Sequence, residues 1–164
     1  MAYTIVDQAL GLPKIASTSL TPWPAVAALG TIVRAVDPTY GMGEFIYLKG
    51  VASTLVGSWA LINSDDWSTT LLIADMKGAV GIAMSANVAS QYGWYQISGK
   101  ALGLALASYA DNALVYATAT PGQVDDAVVA GDRVKNAIGA SVIVGAGIAE
   151  FEINRPFVDD AAAA

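Results

Sequence analysis

The feature that most constrains the fold of this chain is a succession of short β-forming segments that starts at residue 44. The segments are EFIYLKG (44–50), STLVGSWALIN (53–63), TTLLIAD (69–75), AVGIAMS (79–85), DNALVYATA (111–119), SVIVGAG (141–147) and IAEFEINRP (148–156), with glycine, asparagine and aspartate between them. Short strands separated by turn residues are typical of antiparallel sandwiches and barrels. We therefore predict an all-β fold, a small antiparallel sandwich or barrel, with one short helix at GDRVKNAIG (131–139).

Two segments also suggest which side chains are buried. EFIYLKG is apolar on both faces, which is typical of a central strand. In STLVGSWALIN, alternation places Leu55, Trp59 and Leu61 on one face.

Residues 1–43 differ from the rest of the chain. Pro13, Pro22, Pro24 and Pro38 limit regular hydrogen bonding, and DPTYGMG (37–43) has the composition of a turn. We predict an extended N-terminal arm over 1–43 and a β-rich body with a short C-terminal tail over 44–164. The arm is too apolar for a solvated tail, so it needs a surface, which is either its own body or a partner.

Trp23, between two prolines, is the predicted anchor of the arm on a partner. On that interpretation, a chain that lacks residues 1–36 keeps a folded body that melts within a few degrees of the full chain. It also binds its partner far more weakly.

The aromatic stretch SQYGWYQISGK (90–100) is the main candidate for a binding surface. On a strand, Tyr95 and Ile97 share one face, while Tyr92, Trp94 and Gln96 share the other and are predicted to look outward. Three interpretations stay open for this outer face: a second packed face within the same domain, a contact between subunits, or a platform for a ligand.

Beyond residue 99 the large apolar residues move to even positions, at Leu102, Leu104 and Leu106. One extra residue would keep them on the inner face of Ile97, and Gly99 is a natural place for such a β-bulge. The sequence therefore predicts a long, bent strand with a bulge or bend at Gly99.

The composition favours a protein that assembles. Hydrophobic residues make up 55% of the chain and charged residues 13%, about half of the usual ~25%. So few charges cannot easily cover a monomer, and we predict a homo-oligomer, a dimer or a trimer. The net charge of −6 argues against nucleic-acid binding. The N-terminus lacks the features of a signal peptide and no sustained apolar block is present, so we predict no membrane association.

The residue types needed for catalysis are scarce. The chain has no cysteine and no histidine, so thiolate chemistry and the commonest general base are absent. The acid pairs Asp65–Asp66, Asp125–Asp126 and Asp159–Asp160 lack the spacing of a calcium loop and, on a strand, would point to opposite faces. We predict no enzymatic activity, no cofactor, no metal site and no catalytic residue.

Three segments resemble structural proteins of tailed bacteriophages: GEFIYLKGV (43–51), GIAMSANVASQYGWYQISGKA (81–101) and AEFEINRPFV (149–158). The family they resemble is the capsid cement, or decoration, proteins. That resemblance implies a dimer or trimer, made in the host cytoplasm, that sits on the exterior of the head. There it would bind the major capsid protein, bridge neighbouring capsid subunits and stabilise the shell, with no catalytic residues.

Together, the residues and the resemblance make Trp23, Tyr92, Trp94 and Gln96 the predicted partner-binding residues. The alternative function is a carbohydrate- or host-surface-binding module of a phage particle. It would use Trp59, Trp67, Tyr92 and Trp94 as stacking surfaces.

Overall fold

The computed structural model describes residues 3–7, 11–19, 27–143 and 145–159. These residues form twelve strands and no helix. The strands are β1 (Thr4–Ile5), β2 (Thr18–Ser19), β3 (Ile32–Asp37), β4 (Gly41–Lys49), β5 (Trp59–Ile62), β6 (Thr69–Leu71), β7 (Gly78–Ala83), β8 (Tyr92–Leu104), β9 (Leu114–Ala117), β10 (Val124–Asp125), β11 (Arg133–Gly139) and β12 (Ile148–Val158). All strand pairs are antiparallel and belong to one sheet, which is not closed into a barrel. The predicted all-β class is confirmed.

The long strand β8 is the centre of the sheet. Its first half pairs with β4 and with the end of β7, and its second half, from Ser98 to Leu104, pairs with β12. The strand order through this centre is β1-β3-β4-β8-β7-β12-β11-β9-β10. Strand β2 is an extra partner of β8, and β5 joins β6 to β7. The prediction that EFIYLKG is a central strand is confirmed by β4, which lies between β3 and β8.

The buried side chains form three clusters. The main cluster lies among β5, β7, β9, β11 and β12, where the Phe151 ring meets Trp59 edge-on at a centroid distance of 5.0 Å and Tyr109 at 5.2 Å. The arm-side cluster contains Phe45, Tyr47 and Trp94 and is covered by residues of the arm, including Ile15. The groove-side cluster lies on the opposite face of β4 and β8 and contains Ile46, Leu48, Ala60, Ala83, Tyr95 and Ile97.

The bend in β8 confirms the prediction made for Gly99. Pairing with β4 steps from Ser98 to Gln96, so Ile97 is the extra residue, two positions before the glycine. Gly99 itself has φ +96°, in the region that glycine adopts without steric cost. The bulge is therefore present. Because Gly99 has no side chain, β8 can lie close to the backbone of β4 at this point.

The predicted continuous inner face of β8 is wrong beyond the bend. Ala101 and Ala105 enter the main cluster there, whereas Leu102 is half-buried and belongs to no cluster. The reason is the change of neighbour at Ser98, where β12 takes over pairing and the small odd-numbered residues face the packed rings of Trp59 and Phe151.

The predicted helix at 131–139 is also wrong, because most of this segment is strand β11. The register against β12 shifts between Lys135 and Ala137, and Asn136 has φ +58°. This bulge puts Val134 and Ala137 on the same buried face, three residues apart. A three-residue spacing of apolar side chains resembles the period of a helix.

Two further predictions fail at the edges of strands. Leu55 does not share the face of Trp59, because it lies in the loop before β5 and is exposed. Residues 32–37, predicted to be irregular, form β3, which alternates exposed and buried side chains and pairs along its length with β4. The turn predicted at 37–43 is confirmed only for residues 38–40, where the Asp37 carboxylate accepts hydrogen bonds from the backbone N–H groups of Thr39 and Tyr40; residues 41–43 already belong to β4.

Candidate functional site

The aromatic stretch of β8 is buried on both faces. Trp94 and Gln96 face the arm, Tyr95 and Ile97 face the groove-side cluster, and all four are at most 5% exposed. Tyr92 is half-buried at the border of the arm-side cluster. Of the three interpretations that the sequence left open, the structure matches the first, a second packed face within the same domain.

Trp94 is covered by the arm of its own chain. Its ring lies 5.1 Å from that of Tyr47, and its indole N–H donates to the Pro13 carbonyl oxygen at 3.1 Å. Ile15, in the next turn of the arm, is 1% exposed and packs into the same cluster. Strand β2 then pairs with the beginning of β8, at Gly93 and Tyr92. The described parts of the arm therefore pack on the body, which is one of the two surfaces that the sequence allowed.

Gln96 contacts the arm through Tyr3 and otherwise bonds to its own strand. Its Nε2 donates to Tyr3 Oη at 3.3 Å and to the carbonyl oxygens of Ser98 at 3.1 Å and Lys100 at 3.0 Å. Tyr3 Oη in turn donates to the Lys100 carbonyl oxygen at 2.7 Å, and its ring meets Phe45 edge-on at 4.7 Å. Burial raises the pKa of Tyr3 to about 12, so its hydroxyl keeps its proton at neutral pH.

The predicted partner-binding residues are thus separated. Tyr92, Trp94 and Gln96 lie together, but Trp94 and Gln96 contact the arm, so a partner could reach them only after the arm moves away. Trp23 lies outside the described residues. Their role in binding a partner stays a prediction.

The four aromatics considered for a stacking surface do not form one surface. Trp59 and Trp94 are fully buried in different clusters. Trp67 is half-buried and covers Gly30, and Tyr92 is half-buried beside the arm. No observation on these side chains favours carbohydrate binding over packing.

The acid pairs serve local structure where they are described. Asp66 accepts hydrogen bonds from the Ser68 hydroxyl and backbone N–H, which lower the pKa of its carboxyl group. Asp126 accepts from the backbone N–H of Ala110 at 2.9 Å. Asp159 pairs with Lys135, and Asp160 lies outside the described part of the chain. Among the described residues, no three acidic side chains come together in a way that could hold a metal ion.

An apolar groove lies on the face of the sheet opposite the arm. It has a volume of about 490 Å³ and is lined chiefly by Ile32, Ile46, Ile62, Trp67, Ile97 and Phe157. Arg155 also lines the groove and binds Glu44 at 2.8 Å. Sequence reasoning missed this groove because its lining comes from β3, β4, β5, β7, β8 and β12, which only the fold brings together.

Apolar side chains are also exposed in several loops. Val128 and Val129, here called the valine tip, lie between β10 and β11 and are 79% and 46% exposed. Leu55 and Val56 are exposed before β5, Val88 before β8 and Val142 before β12. The segment DDAVVAGD (125–132) contains a pattern from which the tip could have been predicted. The pair Val128–Val129 lies between aspartates, and its only other apolar neighbours are alanines and a glycine.

The part of the chain that the structure describes has no helix with the length and apolar character needed to cross a bilayer. Comparisons with known protein families, with curated proteins and with solved structures gave no match.

Proposed function

We propose that this chain is a structural virion protein of the decoration class, which binds the outside of a phage head. It would contact the major capsid protein as a homo-oligomer, a dimer or a trimer, bridge neighbouring capsid subunits and stabilise the shell. In this proposal it has no enzymatic activity and needs no cofactor. It is made in the host cytoplasm and ends on the capsid exterior.

The observation that carries the proposal is the distribution of exposed apolar side chains. Leu55 and Val56 lie in one loop, the valine tip in another, and the apolar groove on a face of the sheet. A protein that bridges subunits needs at least two separate contact surfaces, and exposed apolar patches mark such surfaces. With only 13% charged residues, the chain has several apolar surfaces that a partner could cover.

The resemblance to decoration proteins concerns the centre of the sheet. Residues 43–51 include most of β4, residues 81–101 include the end of β7 and most of β8, and residues 149–158 lie within β12. These strands pair with one another through β8. The likeness therefore supports a shared body more than a shared attachment site, and attachment has to be tested directly.

The test is cosedimentation of the purified chain with heads of candidate phages that have been stripped of their decoration proteins. We expect saturable binding and heads that release their DNA at a higher temperature. The variant Leu55→Asp with Val56→Asp tests the loop before β5, and Val142→Asp is a matched change in another loop. If the chain binds none of the heads, or binds without any gain in their heat stability, the proposed function is wrong.

A further inference from the structure

We propose that the valine tip of one copy inserts into the apolar groove of a second copy of this chain. The inference rests on the oligomer proposed above, but not on shell binding. Three properties of the structure identify the valine tip as the occupant of the groove: the shape of the tip, the lining of the groove and the charges around both.

The tip has the form of an apolar plug. Val128 is the most exposed large apolar side chain of the described residues, at 79%. Residues 127–131 carry no charge, and strands end on both sides of the loop at Asp125 and Arg133. Exposing two branched apolar side chains to water is unfavourable, and burying them against a partner removes this cost.

The groove has the matching lining. Its floor consists of Ile46 and Ile97 from the groove-side cluster, while Ile32 and Phe157 on its sides are 44% and 37% exposed. Its volume of about 490 Å³ lies within the range of roughly 300–1,000 Å³ that is common for binding pockets. Branched side chains on both partners allow close packing without polar groups to satisfy.

Charges around the two features are complementary. Asp125 and Asp126 precede the tip and Asp132 and Arg133 follow it, so three acids and one base border it. Asp132 is buried and accepts a hydrogen bond from the backbone N–H of Asp75 at 2.7 Å, which leaves the half-buried Asp125 and Asp126 as the acids that another copy can approach. At the groove, the Arg155 side chain is 59% exposed and donates to Glu44 through one terminal nitrogen. A guanidinium has five N–H donors, so Arg155 keeps donors that can reach an aspartate beside the tip of another copy.

The position of the two features favours a reciprocal contact. Strand β11 follows the tip, and its Lys135 pairs with Phe157, which lines the groove. Tip and groove are therefore linked through two paired strands, β11 and β12, of the same sheet. A two-fold axis beside them can place each tip in the groove of the other copy, so one contact is made twice and the assembly closes as a dimer.

Because the chain has no cysteine, disulfide trapping tests this contact directly. Val128→Cys and Ile32→Cys are made as separate variants, mixed and oxidised; we expect a disulfide-linked heterodimer. The matched control replaces Ile32→Cys by Leu55→Cys, which is also exposed but does not line the groove. Equal cross-linking with the control would overturn the proposal.

Sedimentation of the purified full chain gives an independent readout. We expect Val128→Asp with Val129→Asp to weaken dimerisation about tenfold or more, with an unchanged far-ultraviolet spectrum because both side chains are exposed. Leu55→Asp with Val56→Asp should leave the dimer intact. A monomeric wild-type chain, or a dimer that survives the Val128/Val129 variant, overturns the contact. A dimer that behaves as expected but binds no phage head would contradict the proposed function alone.

Discussion

At the scale of single residues, Gly99 gives the sharpest prediction, because its backbone and its surroundings both exclude a side chain. Its φ is +96°, and a Cβ would collide with the carbonyl oxygen of Met42 and approach Gly43 Cα to 3.0 Å. The neighbour is backbone and cannot rotate away. We expect Gly99→Ala to reduce the free energy of unfolding by clearly more than the ~1 kcal/mol typical of a glycine replaced within a strand or helix.

Gly41→Ala is the matched control for this change. Gly41 also has a positive φ, +75°, but a Cβ there meets nothing within 4 Å. It therefore reports backbone strain without a collision, about 1–2 kcal/mol. Urea denaturation of both variants separates the backbone strain from the collision. Equal losses of unfolding free energy in the two variants would show that the close approach of β8 to β4 contributes nothing.

A second prediction at this scale concerns stability in alkali. Burial raises the pKa of Tyr3 to about 12 and also raises the pKa of Tyr95 and Tyr109. In the unfolded chain these hydroxyls ionise near pH 10, while in the folded chain they stay neutral. Stability is therefore retained below pH 10 and is lost as the pH rises from about 10 to 12.

The variant Tyr3→Phe isolates the contribution of the arm to this loss. We expect it to be less stable than the wild type at pH 7, because Gln96 and the Lys100 carbonyl lose a partner. Between pH 10 and 12 it should lose stability less steeply. Melting temperatures measured across this range provide the test, and parallel curves for the two proteins would show that Tyr3 ionises normally in the folded state.

At the scale of elements, the sequence predicts strands well where pattern and turn chemistry agree. β4 contains Phe45, Ile46 and Tyr47 in succession, and β8 begins with three aromatic residues and Ile97, all of them residue types that favour strands. β11 could not be predicted correctly, because its bulge at Asn136 spaces Val134 and Ala137 as a helix would. β3 was missed because Ile32 and Val36 are exposed, so apolar residues on both faces hide its alternation.

The candidate site was predicted less completely than the strands. Local alternation located Trp94 and Gln96 on one face of β8, and the structure confirms that shared face. What covers them depends on Tyr3, Pro13 and Ile15, which are more than 75 residues away along the chain. Contacts of this range leave no local pattern, so the sequence could not decide between the body and a partner.

Because the arm packs on the body, its residues should contribute to the stability of the fold. Ile15 is 1% exposed, whereas Val6 on the same arm is 44% exposed. We expect Ile15→Ala to cost about 2–5 kcal/mol, as for other fully buried large apolar side chains, and Val6→Ala to cost under about 0.5 kcal/mol. The measurement is chemical denaturation of both variants.

Deletion of residues 1–19 extends this prediction to the whole element. It uncovers Phe45, Tyr47 and Trp94, so we expect increased binding of a hydrophobic dye and a melting temperature lowered by well over a few degrees. A truncated chain that melts close to the wild type would instead restore the original expectation, that the arm serves attachment more than folding.

At the scale of the whole molecule, the excess of acid lies in the C-terminal third of the sequence, whereas most of the apolar groove comes from residues 32–97. Residues 111–164 carry eight acids and three bases, and the valine tip projects from this segment. The groove takes its lining from β3, β4, β5, β7 and β8, and only its β12 side, with Arg155, comes from the acidic segment. An uneven distribution of this kind orients two copies before they touch, because opposite charges steer association.

The consequence for the intact protein is a melting temperature that depends on concentration. A ligand or subunit that binds only the folded state stabilises it by mass action, so a dimer should melt at a higher temperature as the chain is concentrated. We expect this increase in the wild type from micromolar to hundred-micromolar solutions. It should be absent in Val128→Asp with Val129→Asp, whose tip would have to carry two charges into an apolar groove. Leu55→Asp with Val56→Asp serves as the control and should keep the dependence. Calorimetry at several concentrations measures all three, and a wild-type melting temperature that does not change with concentration would show that the folded chain gains nothing from a second copy.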